Sequence, residues 1–233
     1  MNYDNIDIIV SRYNEDLKWT LDEPFNQYKY IVYNKGDNDT FEKTNVKQII
    51  PLPNIGREGH TYLYHISENY DNLNNVLVFF PGSVNLGIKK EIAIDLLNRI
   101  KNNNGKAAIF VGRLLKNGLL HEFKHFQLEN WSSSQESNFA KNNESKLQVS
   151  NIRPFGKWFL HNFGNISAYI SNYYGIFSVH KLDVIQNRKY RYEKLVKQLE
   201  VGSNPEVGHY IERSWVAIFH PLKNTKIKIK NYN

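Results

Sequence analysis

The five residues Val76-Leu77-Val78-Phe79-Phe80 contain no polar position and are stopped at once by Pro81-Gly82. A strand with one wet face alternates apolar and polar residues, whereas an unbroken β-branched and aromatic run needs cover on both faces. Ile6 to Val10 is a similar run broken only by Asp7, and Tyr28 to Gly36 reads as a second strand closed by Asn-Lys-Gly. Amphipathic segments follow these runs. "KKEIAIDLLNRIKNNNG" places Ile92, Leu96, Leu97 and Ile100 on one helical face and stops at Asn-Asn-Asn-Gly. "GREGHTYLYHISENY" predicts a helix beginning near Arg57 or Glu58. Ala107–Leu115 reads as a further strand, and Tyr173–Gln186 begins as one. "PFGKWFLHNFG", "RKYRYEKLVKQLEV" and "GHYIERSWVAIFHP" read as helices, the last with Ile211, Trp215, Ile218 and Phe219 on one side. Asp16 to Asp22 can start a helix, and residues 37–50 read as polar loop. Glu129 to Ser150, rich in Ser, Asn, Lys and Glu, reads as a mobile loop or insertion.

Strands alternating with helices imply a mostly parallel, doubly wound sheet with helices on both faces. In such sheets ligands bind beyond the carboxyl ends of the strands. Ser11–Glu15, Asn34–Gly36, Asn54–His60 and Pro81–Ser83 each follow a strand or begin a helix, so they are expected to share one rim.

At 233 residues with 41% hydrophobic side chains, the chain fits a single domain, 1–233, with a substantial core. Cysteine is absent, which rules out disulfides, thiolate metal sites and a cysteine nucleophile. No apolar run approaches the ~20 residues of a membrane span, and residues 1–30 lack a signal-peptide layout. The expectation is a cytoplasmic protein, in a host cytoplasm or virion if viral; the Asn-, Lys- and Ile-rich composition fits an A/T-rich genome such as that of a protist or a large virus. The net charge of +7 attracts phosphates, whether in a nucleotide-sugar, a nucleic acid or an anionic lipid. Lys223–Asn233, "KNTKIKIKNYN", forms a basic C-terminal tail that reads as an edge strand guarded by lysine rather than as a nucleic-acid arm. No zinc-finger spacing, arginine-rich helix or RNA-binding signature accompanies it.

The polar residues at the rim carry the chemistry. Arg12 offers five donors to a phosphate or carboxylate beside Asn14 and Glu15, or the segment is a turn with a helix cap at Asp16. In "NIGREGH", Gly56 and Gly59 permit close backbone approach, Arg57 adds charge, and the amides of a helix start favour an anion; alternatively Glu58 faces the helix dipole and pairs with Arg57. Glu212 can serve as a general base if burial raises its pKa, or it anchors Arg213 as an ion pair. His209, three residues earlier, shares that helical face. "HEFKH" spells the zincin pattern with His121 and His125, but it has no flanking helical periodicity and no obvious third ligand. The G-x-S-x-G and phosphate-loop lysine motifs are absent.

The blocks "SRYNEDLKW", "VYNKG", "LPNIGREGHTYLYHI", "YDNLNNVLVFFPGS" and "GHYIERSWVAIF" together resemble the family called domain of unknown function 3431, in that family's order, from about Ile6 to Phe219. Its layout in turn resembles the GT-A glycosyltransferases. That resemblance implies an α/β fold: a GT-A-like, Rossmann-related single domain with a mostly parallel central sheet flanked by helices. It implies a nucleotide-diphospho-sugar donor and a hydroxyl acceptor on a glycan or protein-linked glycan. The implied donor-binding residues are Arg12, Asn14, Glu15, Lys35, Arg57, Glu58, His60 and Ser83. Glu212 and His209 are the implied catalytic pair, and Tyr174, Phe177 and Arg213 border the acceptor. The family pattern also implies Mn²⁺ or Mg²⁺ on an Asp-x-Asp at the end of a middle strand. Here that strand ends Pro81-Gly82-Ser83, without an aspartate. Three readings stay open: metal-free transfer with Arg57 or Lys35 offsetting the diphosphate, a metal on Glu58 or Asp37, or a non-catalytic glycan- or nucleotide-binding module.

Overall fold

The structure is a computed structural model that describes residues 5–129 and 146–230. Its centre is a five-stranded sheet in the order β3-β2-β1-β4-β7. The strands are β1 (Ile6–Arg12), β2 (Tyr30–Asn34), β3 (Val46–Pro51), β4 (Val76–Pro81) and β7 (Phe177–His180). β1 pairs in parallel with both β2 and β4, β2 pairs in parallel with β3, and β7 runs antiparallel to β4. A smaller sheet, β6-β5-β8, joins β5 (Ile109–Leu114) to β6 (Ile170–Ser171) and β8 (Lys226–Ile229). The two sheets meet where the Ser178 hydroxyl accepts from the Ile109 amide at 2.6 Å and donates to the Ile109 carbonyl at 2.9 Å.

The unbroken apolar runs are buried on both faces, as their composition demands. Ile8, Val10, Tyr30, Val32, Val78 and Phe80 point to one side and Ile9, Ile31, Tyr33, Leu77 and Phe79 to the other. The first side is covered by α2 (Lys89–Asn102) through Ile92, Leu96, Leu97 and Ile100, with Trp19 and Phe25 from two short 3₁₀ turns. The second is covered by α1 (Arg57–Glu68), α4 (Phe155–Phe163), α6 (Lys189–Leu199) and α7 (Glu206–Ile218), which form a large aromatic core. Short helices α3 (Gly118–Glu122) and α5 (Lys181–Ile185) are the remaining α-helices among the described residues. This is a mixed α/β domain with a mostly parallel central sheet between helical layers.

Two local readings change. Residues 37–50 are not all loop, because β3 adds an edge strand at Val46–Pro51. Lys47, Gln48 and Ile49 are exposed, so its composition lacks the apolar signal of the inner strands. Asp16–Asp22 holds a single 3₁₀ turn, Lys18–Leu21. Most of 129–150, namely 130–145, lies outside the described residues, as does the tail beyond residue 230. β8 runs along the edge of the small sheet with all four residues exposed.

Candidate functional site

The carboxyl ends of β1, β2, β3 and β4 lie on one rim, and antiparallel β7 brings its amino end there, with Phe177 opposite Phe79. α1 starts at this rim through an unusual turn. Gly56 and Arg57 both adopt positive φ, 64° and 54°. Glycine takes this backbone freely; arginine does not, so something must hold it. Lys35 does so from below. It is buried, and its ammonium donates to the carbonyls of Ile55 and, at 2.6 Å, of Arg57. From the other side the Gly56 amide donates to Gly202 at 2.8 Å. A Cβ at Gly56 would approach His60 Cβ at 2.6 Å and Leu199 Cβ at 2.7 Å, so no larger residue fits.

Arg57 and Glu58 then meet the first half of α7. The Arg57 Nε lies 3.8 Å from Glu58 Oε2, and its Nη1 donates to Asn204 Oδ1 at 3.4 Å. Glu212 accepts from the Tyr174 amide at 3.3 Å and lies 3.9 Å from Arg213. Arg213 donates to the His209 carbonyl at 2.8 Å, and its guanidinium sits 4.1 Å from the Phe126 ring centre, with Phe123 and Tyr173 also beside it. The Tyr174-Gly175 turn, φ 72° and 65°, leans on this group. A Cβ at Gly175 would lie 3.2 Å from Glu58 Cγ.

The two carboxyls are driven apart. Burial favours the protonated form of both. At Glu58 it is outweighed by Arg57, by the residue's own amide, and by Lys89 and His209, so this carboxyl is held below its usual range. At Glu212 burial and the charge of Glu58 prevail over Arg213 and Arg57, so this carboxyl is pushed up. One of the pair is the fixed anion and the other the group that takes up a proton. Burial, together with Arg57 and Arg213, lowers His209 to about 3, so it is neutral at physiological pH. The Tyr62 hydroxyl beneath donates to the Gly175 carbonyl at 3.0 Å and is pushed well up by burial and then by Glu58, Glu15 and Glu212, which marks these three carboxylates as its neighbours.

The other expected residues divide. Asn14 is exposed and its Oδ1 accepts from Asn38 at 2.8 Å. Glu15 Oε2 accepts the amides of Tyr13 and Asn14 at 2.7 and 3.1 Å, and a Cβ at Gly82 would meet it at 2.7 Å. The Ser83 hydroxyl accepts from Lys89 at 2.8 Å. These remain on the rim. Arg12 does not face a ligand. It is fully buried and donates to Glu15 O, Tyr13 O, both oxygens of Asn38 and the Asn34 side chain, while stacking on Phe41 at 4.2 Å. Its donors tie the rim loops together. Lys35 likewise serves backbone carbonyls. His60 lies inside, stacked on Tyr64 at 5.8 Å, and Phe177 belongs to the core between Phe79 and Trp215, with ring centres 5.0 and 4.8 Å away. Neither presents its ring at the surface. The ring of Tyr174 packs against the α2-side core, so its contribution at the site is its amide.

Two site residues escaped the sequence reading. Lys89 follows the Pro81-Gly82-Ser83 turn, and its sequence signals only the start of a helix. Asn204 precedes α7 in a Gly-Ser-Asn-Pro stretch that looks like a plain turn.

The strand-end turn does not fit a divalent metal. Glu15 is the carboxylate against Gly82, and one of its oxygens already accepts two amides. Among the described residues no group of three or more acidic or histidine side chains is placed to hold an ion. The zincin reading also fails, because α3 ends at Glu122 and leaves His125 off the helix that would align it with His121. A cavity of about 220 Å³ lined by Tyr70, Asp71, Leu73, Lys181 and Ile185 lies at the opposite end of β4 and β7, away from these groups. No described helix is long and apolar enough to cross a membrane.

No curated protein matches the chain. Among solved structures, one similar to it is CMP:2-keto-3-deoxy-manno-octonic acid synthetase complexed with CTP, at 10% identity and a TM-score of 0.41, over 97% of this chain and 89% of that one. That likeness is too distant to bear on activity. The profile of the family described as "Protein of unknown function (DUF3431)" matches residues 8–231, nearly the whole chain, and the protein belongs to that family.

Proposed function

We propose that the rim binds a nucleotide-diphospho-sugar and transfers its sugar to a hydroxyl of a glycan or protein-linked glycan. The observation that carries this reading is the pairing of two carboxyls of opposite tendency, Glu58 and Glu212, with Arg57, Arg213 and Lys89 around them at the carboxyl ends of a parallel sheet. In this reading Arg57 and Lys89 face the diphosphate. The acceptor oxygen attacks the anomeric carbon, the bond from that carbon to the diphosphate oxygen breaks, and the proton of the acceptor hydroxyl passes to Glu212. The raised pKa makes Glu212 the more basic carboxylate of the pair, which suits the proton acceptor. The cations stabilise the departing diphosphate without a metal on the Pro81-Gly82-Ser83 turn.

Isothermal titration with UDP- and GDP-sugars, with and without Mn²⁺, tests the reading; binding is expected in both conditions, and no binding by any nucleotide sugar would sink it. Glu212→Gln is expected to abolish transfer while leaving donor affinity in place. A second reading, a glycan- or nucleotide-binding module without turnover, is favoured by the inward commitment of Arg12 and Lys35, which removes two cations from the rim. It predicts binding with no transfer to any acceptor.

A further inference from the structure

Asn204 has no place in the sequence motifs or in the reaction as drawn, yet it joins two groups of the site. It is 3% exposed and lies just before α7. Its backbone is fixed by reciprocal bonds with Gln148: the Gln148 amide donates to the Asn204 carbonyl at 3.0 Å, and the Asn204 amide donates to Gln148 Oε1 at 3.0 Å. Its side-chain Oδ1 lies 3.4 Å from Arg57 Nη1 and 3.3 Å from His209 Nε2.

The chemistry of these contacts leaves one assignment. A guanidinium nitrogen is always a donor, so the Asn204 atom facing Arg57 must be the carbonyl oxygen and not the amide nitrogen. The same oxygen faces His209, and an amide oxygen only accepts. Nε2 must therefore carry the proton. We propose that Asn204 is a positioning residue that fixes His209 as its Nε2–H tautomer and, through the same oxygen, sets the direction of the Arg57 side chain. Lys35 holds the Arg57 backbone and Asn204 holds its head, so the guanidinium is aimed from both ends. The consequence for donor binding rests on the proposed transferase reading; the tautomer does not.

The test is long-range proton–nitrogen correlation on histidine-labelled protein, with His209 assigned from the spectrum of His209→Gln. In the wild type, Nε2 is expected at the protonated and Nδ1 at the unprotonated nitrogen position at neutral pH. Asn204→Ala should shift His209 toward the Nδ1–H form. Asn204→Asp, which keeps an acceptor oxygen, should retain Nε2–H and raise the pH midpoint of His209; this variant and the wild-type spectrum carry the test if the alanine variant does not fold. A wild-type Nδ1–H signal, or an Asn204→Asp midpoint equal to wild type, overturns the inference. For the donor, Asn204→Ala and Arg57→Ala should each weaken nucleotide-sugar binding on the order of tenfold, and the double variant no further. If the tautomer is as expected but no nucleotide binds, the positioning role stands and the transferase reading falls; fully additive losses would contradict the coupling of Asn204 to Arg57.

Discussion

The Lys35 ammonium meets the Arg57 carbonyl at 2.6 Å beneath the loop that opens α1, joining residues 22 positions apart. Burial, only partly offset by Glu58, lowers this lysine to about 7. An unfolded lysine keeps its proton to about 10.5. Between those values the unfolded chain binds more protons, so stability from this group rises with pH from about 7 toward 10.5. Lys35→Met leaves two carbonyls without their donor, at about 1–3 kcal/mol each. Urea titration is therefore expected to show a loss that is larger at pH 9 than at pH 7. A loss that is the same at both would show that Lys35 is fully charged in the fold.

Three buried histidines make the opposite end of the pH scale costly. Burial lowers His60 and His65 to about 4 each and His209 to about 3. A histidine lowered on folding contributes stability above its unfolded pKa near 6.5 and loses it as pH falls toward the folded value. Three such groups give a slope on the order of 4 kcal/mol per pH unit below about 6. Thermal melting is expected to fall steeply between pH 6.5 and 5, with His60→Gln reducing the slope by roughly a third. A melting temperature that is flat across this range contradicts the buried, neutral state of these rings.

Glu206 is fully buried at the first turn of α7, and four donors converge on its two oxygens: the amides of Leu128 and Ser150, Arg153, and the Tyr210 hydroxyl, at 2.8 to 3.1 Å. It therefore holds together the two chain segments that flank residues 130–145. Glu206→Ala leaves two amides and the Tyr210 hydroxyl without their acceptor and should cost about 3–5 kcal/mol. Glu206→Gln should also destabilise, because its amide nitrogen meets donors. Chemical denaturation reads both, and a loss below about 1 kcal/mol for alanine would mean that water replaces the carboxylate easily.

The inner strands and the long helices were legible because burial on two faces leaves unbroken apolar runs and helical packing leaves a 3.6-residue spacing. β3 was not, because an edge strand with exposed Lys47 and Gln48 has no such pattern. The shared rim followed from topology alone, since parallel strands deliver their following loops to one end. Which rim residues face outward did not. Arg12, Lys35 and His60 have the composition of ligand contacts, and only their three-dimensional neighbours show that Arg12 and Lys35 brace the loops and that His60 packs inward on Tyr64. Asn204 and Lys89 were missed for the converse reason: nothing in their local sequence signals contact with Arg57 or with the charge of Glu58, which lie far away along the chain.

The central claim is that Arg57 and Lys89 flank an anionic donor beside the Glu58–Glu212 pair. Crystals soaked with a UDP- or GDP-sugar test it directly. The diphosphate is expected within hydrogen-bonding distance of the Arg57 guanidinium and the Lys89 ammonium, with the sugar toward Glu212. A diphosphate seated elsewhere, such as the cavity beside Tyr70 and Lys181, with the rim empty, would contradict it.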